Sequence, residues 1–207
     1  MCKCAKVQMC KSKIKMEKIE LNKKVKLSPH LASPSEAALG HLSELNGSRL
    51  SPHFTLGELC KTSVNSLDGN IPSHEEIENL KRLCPWLEEL RYTYNTLYCL
   101  KPGEDYETSK NVEPIIISSG YRSPEVNRCV GGAHSSNHLT GCAVDIRCVG
   151  VEQAIRYAAI LLDTADDWKQ DFDELLIERN RKGRYWVHFA VRPPKVGNRR
   201  KVLMIEK

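Results

Sequence analysis

From Leu50 onward the apolar positions follow two periods, one helical and one of strand type. Ile77, Leu80, Leu83, Leu87 and Leu90 recur at steps of three and four, which predicts an amphipathic helix after Ser73. Ser73 with Glu76 forms a capping-box pair at its start, and Thr55 with Glu58 does the same for a shorter helix near Leu56-Gly57-Glu58-Leu59-Cys60. Pro85 lacks an N–H and crowds the preceding turn, so a kink or a split near Cys84 is expected. Val151–Leu162 shows a second helical period. Ile115-Ile116-Ile117 is a β-branched run that ends in the Ser118–Gly120 loop. Phe172–Glu178 and Tyr185–Val191 read as two strands joined by the polar turn 179–184, a β-hairpin. The closing residues GNRRKVLMIEK are expected to add a short last strand. Helices and strands do not alternate strictly, so the expected class is α+β, an antiparallel sheet with flanking helices.

The remaining stretches set the domain organisation. Residues 101–113 are polar and turn-like, and 27–49 carry Ser, Pro and Gly punctuation of linker type. The string Leu-Ser-Pro-His occurs at 27–30 and again at 50–53, too few copies for a repeat architecture. The expected division is a basic, Cys-containing and poorly ordered tail and linker over 1–49, then one domain over 50–207.

Composition changes this picture in three places. Apolar content of 41% and charged content of 28% are those of a globular chain, and no run is long enough to span a bilayer. The first residues are basic but have no apolar signal core, so synthesis in the cytoplasm without a Sec leader is expected. Nine lysines against two glutamates fall within residues 1–26, so the net +5 of the chain belongs to the tail and the remainder is net −2. Such an arm suits a polyanion, cell-wall polymers included, while nucleic acid is not the expected partner. The nine cysteines are odd in number and irregularly spaced, which argues for reduced thiols rather than a disulfide framework. Cys129, Cys142 and Cys148 are expected to be buried small apolar residues.

Candidate chemistry gathers in 118–145, SSGYRSPEVNRCVGGAHSSNHLTGCAVD. His138 and Asp145 are residue types that bind zinc, with His134 an alternative donor that composition leaves open. A third ligand is needed, and His188, within Trp186-Val187-His188-Phe189, is the best candidate. Period-two alternation puts Trp186, His188 and Ala190 on one face of their strand.

Ser136-x-His138-x-x-Gly141-x-Ala143-x-Asp145, followed by Trp186-x-His188, resembles the zinc D-alanyl-D-alanine carboxypeptidase family, whose members share the Hedgehog-type DD-peptidase fold. Ser119-Gly120-Tyr121-Arg122-Ser123, Val130-Gly131-Gly132-Ala133 and Leu50-Ser51-x-His53-Phe54-Thr55-Leu56-x-Glu58 also resemble that family, so the likeness runs from Leu50 to the C-terminus. It implies one zinc ion held by His138, Asp145 and His188, and a peptidoglycan stem peptide as substrate, cut by a monomer acting as DD-carboxypeptidase or lysin-type endopeptidase. With no Sec leader, such an enzyme would reach the wall after release or by another export route. It also implies that Arg122 grips a substrate carboxylate or carbonyl, that Ser136 bonds substrate or orients the ligand loop, and that Gly141 permits a tight turn. One position departs from the family: the usual Glu three residues before the last His is Tyr185. Glu178 is the expected substitute as general base, provided it pairs with Trp186 and shares the face of His188. The alternative is a non-catalytic zinc-containing module that binds peptidoglycan or a partner.

Overall fold

A computed structural model describes residues 47–207. The lysine-rich arm, Cys2, Cys4 and Cys10, and the linker up to residue 46 lie outside the described residues. Within them, Leu56–Leu59 forms α1, with both hydrogen bonds of the Thr55–Glu58 capping box present. The Leu50–Glu58 stretch is tied down by Glu88, which accepts from Ser51 Oγ at 2.6 Å and meets His53 Nδ1 at 2.6 Å. Helix α2 spans His74–Tyr94, opens on the Ser73–Glu76 box, and runs into a π-helical turn at Asn95–Cys99. Pro85 does not split it. The proline sits on the exposed side of the helix, where water can satisfy the freed Lys81 carbonyl, while Leu80, Leu83, Leu87 and Leu90 are fully buried on the other side.

The other elements are β1 (Ile117–Ser119), α3 (Pro124–Cys129), a 3-10 turn at Asn137–Thr140, β2 (Ala143–Cys148), α4 (Val151–Trp168), β3 (Glu174–Arg179), β4 (Tyr185–Ala190) and β5 (Lys201–Glu206). Helix α4 continues six residues beyond the expected end and closes on Lys169 in the left-handed region. The five strands form one sheet in the order β1-β2-β4-β3-β5. Each neighbouring pair from β1 through β2 and β4 to β3 is antiparallel, but β5 runs parallel to β3, so the sheet is mixed and not wholly antiparallel as expected. The hairpin partner β4 occupies one edge of β3; the chain then loops back through 191–200 and enters along the other edge in the direction of β3.

Alternation divides the sheet into two faces. Val144, Ile146, Leu175, Val187 and Phe189 point toward α2 and α4, and all five are fully buried. Phe189 stacks within 5.2 Å of Trp86 and 5.7 Å of Phe172. The other face carries Asp145, His188, Glu174 and Glu178. Burial pushes the thiols of Cys60, Cys84 and Cys148 up to about 12, which keeps them protonated packing groups. Cys142 is buried as well, whereas Cys129 is exposed on α3, contrary to expectation.

Candidate metal centre

Two ligand candidates come from the sheet and one from the loop before it. Asp145 in β2 and His188 in β4 are direct cross-strand partners, so both side chains rise from one spot on the same face. His138 arrives on the 3-10 turn. Ser136 Oγ accepts from His138 N at 3.3 Å, and Gly141 closes the turn at φ +67°. A Cβ at Gly141 would lie 2.5 Å from the Glu76 carbonyl oxygen on α2, so only glycine fits there. Gly120 has the same constraint, since a Cβ would lie 2.0 Å from the Leu59 carbonyl oxygen. This close approach brings Gly120 O to 2.6 Å from His138 Nδ1. Nδ1 donates to that carbonyl, which leaves the Nε2 lone pair aimed into the centre.

There it meets two other acceptors. His138 Nε2 lies 3.2 Å from Asp145 Oδ1 and 3.2 Å from His188 Nδ1, and His188 Nδ1 lies 2.9 Å from the same Asp145 oxygen. Three lone-pair atoms converging this closely repel one another unless a cation or a proton sits among them. Two N ligands and one carboxylate O, each about 2.0–2.1 Å from a tetrahedral zinc, would stand roughly 3.3 Å apart, so the donor set and its spacing fit that ion. His138, Asp145 and His188 are all buried. In the metal-free chain a proton takes the cation's part. Burial opposes charge on His188, but hydrogen bonds to Asp145 and Glu174 outweigh it and raise its pKa to about 9. Burial likewise opposes ionisation of Asp145, and His138 and His188 outweigh it, holding that carboxyl well below the usual range.

A surrounding layer fixes the ligands. Arg122 donates through Nη2 to the outer oxygen of Asp145 and through Nε to Ser119 Oγ at 2.7 Å. Glu174 Oε2 lies 3.5 Å from the outer nitrogen of His188, Nε2, and its pKa falls to about 2, first through that contact. The Asn137 amide donates to Glu174 at 3.1 Å and to Asp173 at 2.8 Å. Asp173 is fully buried and also holds Arg199 at 2.6 Å and Arg192 at 3.0 Å. Asn137, next to His138, is thereby anchored to the start of β3.

The structure brings His138, Asp145 and His188 together, with Arg122 touching Asp145 and Ser136 capping the ligand turn. His134 is exposed and outside the cluster. Glu178 does pair with Trp186 and shares the face of His188, as the register condition required. It is buried, and Lys207 Nζ donates to it at 2.6 Å while lying over the Trp186 ring. Tyr185 falls on the opposite face with Val187 and Phe189, packed against the core. Sequence reasoning missed Glu174, although its even spacing from Glu178 puts both on one strand face. It also missed Asn137, Asp173 and the Gly120 carbonyl, whose roles arise only from tertiary contact.

A buried two-His, one-carboxylate cluster is a donor set that could hold a divalent metal ion. Residues 104–180 match the family model described as Peptidase M15. The matched segment contains His138 and Asp145 and ends before His188, which reaches the centre through strand pairing. No curated protein gives a significant match to the chain.

Proposed function

We propose that the protein is a zinc metallopeptidase that cleaves peptide bonds in peptidoglycan stem peptides, as a DD-carboxypeptidase or a lysin-type endopeptidase with the Hedgehog-type DD-peptidase fold. The observation that carries this reading is the convergence of His138 Nε2, Asp145 Oδ1 and His188 Nδ1 inside a chain with an M15 match. The wall substrate rests on the likeness of the Ser136–Asp145 and Ser119–Ser123 motifs to the carboxypeptidase family. Residues 50–207 form the catalytic domain, and the basic extension before it draws the enzyme to an anionic wall.

His138, Asp145 and His188 would hold one zinc ion, which when bound polarises a scissile carbonyl and activates water. The chain's own residues do the rest. Gly120 O keeps His138 in the tautomer that presents Nε2. Glu174 does the same for His188 from its outer nitrogen, and so acts as a positioning group. Arg122, already bonded to Asp145, steadies that ligand and offers its remaining N–H groups to a substrate carbonyl or carboxylate. Ser136 orients the ligand turn. Glu178 is the carboxylate for proton transfer, since it shares the face of His188 and Lys207 is its partner there.

A second reading has its own observation. Lys207 neutralises Glu178, and Tyr185 faces the core, which suits a binding module that keeps the metal without turnover. The zinc-loaded protein, incubated with defined stem peptides ending in D-Ala-D-Ala and with cross-linked dimers of them, separates the two by mass spectrometry of products. Loss of one D-Ala or of the cross-link supports the enzyme. Intact peptides with zinc bound would overturn it in favour of the binding module.

A further inference from the structure

We infer that β5 is a self-association edge, through which two copies of this chain pair as antiparallel strands into one continuous sheet. Strand β5 pairs with β3 and, among the described residues, with no other strand. Its six residues, Lys201-Val202-Leu203-Met204-Ile205-Glu206, are apolar on both faces in the middle and charged at the ends. Val202, Leu203 and Met204 are 47%, 46% and 63% exposed, three adjacent apolar residues on an open edge. Solvated edge strands are ordinarily protected by inward charges, prolines or bulges. None interrupts this one between its terminal charges.

The backbone shows which groups are free. Lys201 N donates to Asp173 O and Lys207 N to Arg179 O, both toward β3. By alternation, the N–H and C=O groups of Val202, Met204 and Glu206 point outward. They are a ready ladder for a neighbour.

The occupant is a second copy because the strand is complementary to itself. Closed two-fold pairing of identical strands demands that each pair lie on one face of the joint sheet. The register centred on Leu203 satisfies this. It sets Leu203 against Leu203 of the second copy, Val202 against Met204, and the aliphatic stem of Lys201 against Ile205. Pairing stops at Lys201, since Arg200 leaves the strand in the left-handed region, and Glu206 keeps Arg179 of its own chain as partner at 2.8 Å. Centring on Met204 instead would set Lys201 against Lys207, like against like. An unrelated extended peptide would gain only the backbone bonds and lose these matches. The two-fold axis stands perpendicular to the sheet, so both metal-bearing faces look the same way, an arrangement suited to a meshwork substrate. The inference does not rest on zinc or on peptidase activity.

Analytical ultracentrifugation of the full 207-residue chain, from low micromolar to near millimolar, tests it. A six-residue edge is a small interface, so a concentration-dependent dimer of micromolar strength is expected. Met204→Pro removes an outward N–H and leaves the ladder to β3 intact; it is expected to give a monomer with unchanged circular dichroism and zinc content. Should that variant misfold, Met204→Lys provides the same reading without altering the backbone. In the dimer, Leu203→Cys is expected to yield a 203–203 disulfide, identified by peptide mass mapping, because directly opposed positions lie within bridging distance. A monomer at every concentration overturns the proposal. So does a dimer that survives Met204→Pro and Met204→Lys, or one that never forms the 203–203 link and thus uses another surface.

Discussion

The two faces of β4 are built from alternate residues of one six-residue strand, yet they obey opposite rules. Val187 and Phe189 meet Trp86 and Phe172 in an apolar layer, where complementarity of shape governs. Trp186 and His188 look onto Asp145, Glu174 and Glu178, where charge and hydrogen bonding govern. The first face stabilises the sheet; the second is held in an arrangement that repels itself until a cation enters. Stability and function are separated here by a single step along the chain.

That separation can be broken from either side. Phe189→Ala is expected to cost about 3–5 kcal/mol of folding stability, read as a lower denaturant midpoint, because it empties a fully buried ring site. His188→Ala, one residue away, is expected to abolish zinc binding at micromolar metal while moving that midpoint much less. If the two variants behave alike, the faces are not independent. Glu174→Gln keeps the shape but loses the charge on the outer nitrogen of His188, so zinc affinity is expected to drop by roughly 10–100-fold in a competition titration. Unchanged affinity would remove Glu174 from the support of the centre.

Acidity sharpens the same contrast. Burial opposes charge on Asp173, but hydrogen bonds from Arg199 and Asn137 lower its pKa in the fold. A lowered carboxylate contributes stability above its unfolded value, near 3.9, and loses it as pH falls through the folded value. Metal-free protein is therefore expected to weaken below about pH 4, and Asp173→Asn to flatten that slope. His188 works in the other sense. Its pKa is raised to about 9, so its proton contributes most below its unfolded value and is lost as pH climbs through 9. Zinc must displace that proton, so affinity should climb between pH 6 and 9, with proton release on loading measurable by calorimetry in buffers of different ionisation enthalpy. The smallest effect tests the face assignment itself. Tyr185→Glu introduces the residue usual at this position in the carboxypeptidase family that the motifs resemble, but on the core side; a modest loss of stability and no gain in peptide cleavage are expected.

Much of this was legible before folding. The hairpin itself and the helix caps at Thr55 and Ser73 followed from local chemistry, while the hairpin's register stayed open by one residue until the fold paired Glu178 with Trp186. The three ligand positions were singled out from residue types and a family likeness, and the fold brings them together. Other features were not local. Helix α3 escaped notice, although Ser123 accepts from Val126 N and Pro124 occupies the first turn, both start signals. The parallel entry of β5 depends on which edge of β3 was left open. Pro85 reads as a breaker until its neighbours prove to be buried and its own side solvated. Asn137 and Asp173 carry no signature at all, since the partners that give them their roles lie far along the chain.

The position of β4 also bears on how the chain is made. It is synthesised after β2 and β3 and yet lies between them. A nascent chain ending at residue 180 has only two of the three ligands, and its β2 and β3 must leave room for a strand that does not yet exist. When β4 enters, a slip of one residue would set Val187 or Phe189, not His188, against Asp145. A metal held by His138, Asp145 and His188 would then act as an inspector of threading: only the correctly inserted strand completes the set of three.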